Sequence, residues 1–204
     1  MKKTSLGELI ANAISHGIGA SFAIVALVLL LLKSDTTSEI LSSVAFGVAM
    51  IILYLSSTLF HSFPEKMKRV FAVFQRFDHS SIFLLITGTY TPFLILVVGN
   101  TKGYILLAIL WLITIIGIIF KSIWINKFKT IHLIIYILMG WSGVLVYNDF
   151  MLNIIHFDYV LLGGISYTIG VAFYKSRFKY SHFVWHLFVL FGTFMHFLAI
   201  YYNM

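Results

Sequence analysis

A chain of 204 residues that is 60% hydrophobic and only 10% charged cannot clothe a water-soluble domain of that size, which is ordinarily about half apolar and about a quarter charged. Two prolines and no cysteine exclude a disulfide-stapled secreted scaffold and any thiolate metal site. The net charge of +7 would suit nucleic acid, but the basic residues sit in short gaps between apolar runs, so lipid is the expected partner and nucleic acid is not.

A membrane-spanning helix needs about 20 mostly apolar residues, and seven segments predict one each. The first covers Leu9–Leu32. Lys2 and Lys3 precede it, but its apolar run is too long for a signal peptide and no small-x-small cleavage site follows before Lys33, so it reads as a retained helix. The second covers Ile40–Phe60, and the third Asp78–Val98 with Pro92 expected to kink it. The fourth is Tyr104–Phe120 and the fifth Ile131–Tyr147. The sixth, Tyr159–Tyr174, includes Gly163, Gly164 and Gly170, which suit close helix packing. The seventh is His182–Tyr201.

The gaps orient the bundle. Of the 14 basic residues, all but Lys33 and Lys102 fall at the N-terminus or in the second–third, fourth–fifth and sixth–seventh gaps. Basic loops stay cytoplasmic, so the N-terminus is expected inside and the C-terminus outside. Tyr147, Tyr159, Tyr201 and Tyr202 suit an outer interfacial belt and Trp124 an inner one. With no linker or low-complexity tract, residues 1–204 read as one all-α domain: a multi-pass seven-helix bundle of the cell membrane.

Ionisable residues at membrane depth are costly and usually functional. His61 ends the second segment, Asp78 opens the third, and His182 and His186 open the seventh at i and i+4, on one helix face. All four fall on the cytoplasmic side. Three neutral imidazoles plus water are a standard ligand set for catalytic zinc, whose bound water deprotonates near pH 7. A carboxylate such as Asp78 can hold that water, and Ser57, one turn before His61, can donate a hydrogen bond to it or to a substrate carbonyl. The plainer reading is a set of interfacial histidines with their polar tips at the headgroup boundary; the matching depth of His61 and Asp78 weighs against it.

The motifs resemble the hemolysin III family, the bacterial branch of the progestin and adipoQ receptor family. They are Ser15-His16-Gly17-Ile18-Gly19, Ser57-Thr58-Leu59-Phe60-His61, Asp78-His79-Ser80-Ser81-Ile82-Phe83, Gly88-Thr89-Tyr90-Thr91-Pro92-Phe93 and Ser181-His182-Phe183-Val184-Trp185-His186, followed by His196-Phe197. The resemblance implies seven helices with a cytoplasmic N-terminus. Adiponectin receptors, eukaryotic members of that family, hold zinc by three histidines, and their motif falls on His61, His182 and His186, with Asp78 and Ser57 at the aspartate and serine of the site. His79 stands where those receptors have tyrosine, so it is a candidate extra ligand or proton carrier. The long soluble N-terminal extension of those receptors is missing, and adiponectin binding is not carried over.

Among the other candidates, Glu8 is read as an interfacial residue, and His16 either supports the site or packs helices. His196, ten residues beyond His186 and so about 15 Å deeper, is read as a hydrogen-bonded core residue. His132 and His156 are read as interfacial. The expected activity is zinc-dependent hydrolysis of a lipid amide or ester, ceramidase-like, at the inner leaflet. The alternatives are a membrane-fluidity sensor with structural zinc, and a cytolysin.

Overall fold

The computed structural model describes residues 5–64, 66–125 and 127–204, whose regular structure is all helical with no strand among them. Lys2 and Lys3 lie outside the described residues. The helices are α1 (Leu6–Lys33), α2 (Thr37–Ser62), α3 (Lys68–Pro92), α4 (Thr101–Ile123), α5 (Lys129–Gly140), α6 (Tyr147–Asn153), α7 (Phe157–Lys175) and α8 (Ser181–Tyr202). They make seven spans long and apolar enough to cross a membrane, α5 and α6 together forming the fifth.

Helix starts follow local chemistry. Ser5 and Glu8 form a reciprocal capping box on α1, and Thr36 and Glu39 form another on α2. The Asn100 side chain accepts from Gly103 N at 3.1 Å to start α4.

The third and fifth segments differ most from their predicted forms. α3 starts ten residues earlier than Asp78, so Arg69 and Arg76 are on the helix rather than in a gap. Hydropathy misses this start because Lys68, Arg69, Gln75 and Arg76 make it polar; Arg76 Nε donates to Ser122 O at 2.8 Å and closes the end of α4. Beyond Pro92 the ladder widens into a π-helical stretch, Phe93–Val98, which ends at Gly99 with φ +57°. The fifth span is broken: α5 ends at Gly140, a 3₁₀ stretch runs over Ser142–Val146, and α6 follows. Gly140 and Gly143 weaken the helix there. The Tyr90 hydroxyl mends the gap, donating to Gly140 O at 2.7 Å and accepting from Gly143 N at 2.8 Å.

The packing has the pattern of a membrane bundle. On α1, Leu6, Ile10, Ile14 and Ile18 form an exposed stripe for lipid, while Asn12, Ser15, His16, Gly19, Ala20 and Ala23 are buried. α2 packs along both α1 and α3, α7 along α8, α3 on α4, and α8 closes on α1. Small residues allow this. A Cβ on Gly88 would come within 2.9 Å of Ala45 O, and one on Gly19 within 2.7 Å of Tyr54 and Leu190. Gly163 and Gly170 likewise lie against His196 and Trp185, whereas Gly164 meets nothing closer than 4.0 Å. α5 leans only lightly on α3, which leaves open space between α3, α5, α7 and α8.

Candidate metal centre

His61 lies in the last turn of α2, and His182 and His186 lie in the first two turns of α8. Because α1 lies between these two helices and packs on both, they converge at one end of the bundle. The three imidazoles each offer one ligand nitrogen, all within 4.8 Å of one another, so the group could hold a metal ion. Ring centroids are 5.1 Å apart for His61–His182 and His61–His186, and 4.7 Å for His182–His186. His61 and His186 are buried.

The ring nitrogens fit a metal. His61 Nε2 is buried with no hydrogen-bond partner among the described residues, a costly state unless an electron-pair acceptor meets it. His186 Nδ1 lies 3.2 Å from Asn12 O and 3.1 Å from Ser15 Oγ. Ser15 Oγ already donates to Asn12 O at 2.9 Å, and a carbonyl only accepts. The proton therefore sits on Nδ1, which leaves the lone pair on Nε2 for coordination.

Asp78 lies three turns into α3, with a side chain 17% exposed, and its charge interacts with His182 and Lys121. The Ser57 hydroxyl faces that carboxylate without closing a hydrogen bond within ordinary geometry, and it is buried. His79 does not join the three-histidine group. Its Nδ1 donates to Gln75 O at 2.8 Å and lies 3.4 Å from Asp78 Oδ2, while its backbone carbonyl accepts from the Tyr136 hydroxyl.

His196 is a hydrogen-bonded core residue: Nε2 donates to Val160 O at 3.1 Å, away from the centre. Glu8 does more than face an interface. Besides capping α1 it accepts from Tyr180 N at 2.8 Å, where the backbone turns left-handed (φ +65°) just before α8. His156 is half exposed beside Asp158. His132, expected at the interface, is buried, because α5 turns it inward toward Phe83 and Lys121.

A cavity of about 150 Å³ runs beside the centre rather than through it, lined by His79, Lys121 and Tyr174 at one end and by Tyr167, Trp141 and His196 at the other. A second, of about 120 Å³, shares Tyr90, Trp141 and His196 with it. The walls are overwhelmingly apolar, with room for part of an acyl chain. Asn12 and Lys121 escape a reading of motifs alone, and the motif that includes Ser15 does not give its role beside His186. The signal for Asn12 and Ser15 is the spacing Glu8, Asn12, Ser15 and His16, a polar stripe on an otherwise apolar helix.

Comparison with known proteins supports the same architecture. Residues 7–197 match the family described as Haemolysin-III related. The chain is 41% identical over 200 residues to Hemolysin-3 of Bacillus cereus, covering 95% of this chain and 90% of that one. It is 38% identical over 195 residues to the Hemolysin-3 homolog of Bacillus subtilis (strain 168), covering 93% and 91%. It is 30% identical over 203 residues to the Monocyte to macrophage differentiation factor of Homo sapiens, covering 97% and 85%.

Proposed function

The chain belongs to the haemolysin-III related family of multi-pass proteins in the bacterial cell membrane, and we propose that it is a zinc-binding member that hydrolyses a lipid amide or ester. The observation behind this reading is the convergence of His61, His182 and His186, with His186 Nε2 left free by the Asn12 carbonyl. Three imidazoles, with no fourth protein ligand grouped with them among the described residues and no cysteine in the sequence, suit a catalytic rather than a purely structural ion. When bound, zinc supplies Lewis acidity that polarises a carbonyl and acidifies nearby water.

The remaining work falls to the chain. Asp78, next to His182, takes the proton from the attacking water and returns it to the leaving amine or alcohol. Ser57 donates its hydroxyl hydrogen to the Asp78 carboxylate or to the substrate carbonyl. The apolar cavity beside His79 and Trp185 holds the acyl chain and keeps bulk water away. With the N-terminus in the cytoplasm, as the basic segments favour, this chemistry faces the inner leaflet.

A second reading is a membrane-fluidity sensor in which the ion staples helices. It is favoured by the way α2 and α8 each pack along α1 rather than along one another, so a shared ion would couple them directly.

His186→Ala separates the readings. Purified protein in defined lipid is expected to hold about one zinc per chain and the variant less than about a tenth of that. On the hydrolase reading, release of fatty acid from amide or ester lipids falls by at least about 10²-fold in the variant. Zinc bound with no lipid product from either protein would leave the sensor. Vesicles loaded with a dye report in the same assay on the lysis that the relatives' name suggests.

A further inference from the structure

His16, on α1, is outside the three-histidine group yet lies among its members. Its ring is stacked face to face on His186, with centroids 3.5 Å apart and planes 8° from parallel. Tyr54 packs edge-on against the His16 ring, with centroids 5.1 Å apart. The residue is buried, and neither Nδ1 nor Nε2 has a hydrogen-bond partner among the described residues. If flat packing against His186 were all that this position required, phenylalanine would meet it without burying two unsatisfied polar atoms. A parallel stack also argues against coordination, because an ion in the plane of the His186 ring lies well off the plane of the other.

We infer that His16 is a positioning residue of the proposed metal centre: it holds the plane of His186 by stacking and presents a ring nitrogen to a small polar or anionic ligand on the open side of the ion. The inference rests on the metal-centre reading above, but not on hydrolysis. α1 then supports His186 at three points without contributing a ligand: the Asn12 carbonyl, the Ser15 hydroxyl and the His16 ring.

The test uses the full chain in detergent, stripped of metal, loaded with Co²⁺ and titrated with azide while the visible d–d bands are followed. His16→Phe keeps a flat ring and removes the nitrogens, His16→Leu removes the stack, and His16→Gln restores a polar group. His16→Phe is expected to keep the band shape and to bind cobalt within about threefold of the unmodified protein. Its affinity for azide should fall about tenfold, with partial recovery in His16→Gln. His16→Leu is expected to bind cobalt at least about tenfold more weakly and to shift the bands. Unchanged azide affinity in His16→Phe, or unchanged cobalt affinity and bands in His16→Leu, would overturn the inference. Complete loss of cobalt from a folded His16→Phe would overturn it too, making His16 a ligand. If the unmodified protein took up no cobalt, the metal centre itself would fall, a result distinct from these three.

Discussion

At the scale of single residues, the centre depends on groups that are not ligands. Ser15 accepts from His186 Nδ1 and donates to Asn12 O, so it fixes the tautomer that leaves His186 Nε2 without a proton. Ser15→Ala is expected to weaken zinc binding about tenfold, read by competition with a chromophoric chelator, while the chain stays folded. Gly163 illustrates a different constraint. A methyl there would collide with the His196 ring, so Gly163→Ala should cost about 1–3 kcal/mol, measured as a lowered midpoint in a detergent melt. Its metal content should not change, since His196 bonds to Val160 O far from the three histidines.

At this scale sequence reading was strongest where chemistry is expensive. His61, His182 and His186 are recognisable because imidazoles are rare in lipid and two of them share a helix face, and the structure brings the three together. Burial was harder to judge. His132 reads as interfacial because it falls near a helix end, but the side of α5 it occupies depends on a helix phase that hydropathy averages away.

At the scale of elements, the seven spans were legible because lipid demands uninterrupted apolar length, a property no tertiary contact can hide. The interruption in the fifth span was not. Gly140, Ser142 and Gly143 only permit a break; what stabilises it is the Tyr90 hydroxyl, 50 residues upstream. Tyr90→Phe removes both hydrogen bonds and should cost about 1–2 kcal/mol. Amide hydrogen exchange checks it: protection should drop over residues 139–147 and remain unchanged in α1 and α2. Because Tyr90 also lines both cavities, the same variant should loosen their shared wall. The start of α3 is hidden in the sequence for a related reason. Arg69 and Arg76 read as loop charge, but Arg76 is spent on the carbonyl end of α4.

At the scale of the whole molecule, the inward-facing N-terminus is an expectation from charge asymmetry alone, and the chain offers a clean test since it has no cysteine. Asp158→Cys, on the exposed start of α7, should react with a membrane-impermeant maleimide in intact cells. Ser176→Cys, at the opposite end of the same helix, should react only after the membrane is permeabilised. The reverse pattern would place the histidine cluster at the outer leaflet. The first and last helices also meet along a seam that is fastened at both rims. Glu8 grips the backbone of Tyr180 at one, and Lys33 grips the carbonyl and ring of Tyr201 at the other. A slide of α8 along α1 would carry His186 off its Asn12 carbonyl, and these two buckles oppose that slide from either face of the bilayer. The His186 imidazole is thus held in place by contacts between the first and last helices of the chain, and thinning or thickening of the surrounding lipid has to unfasten a rim before it can disturb the three-histidine group.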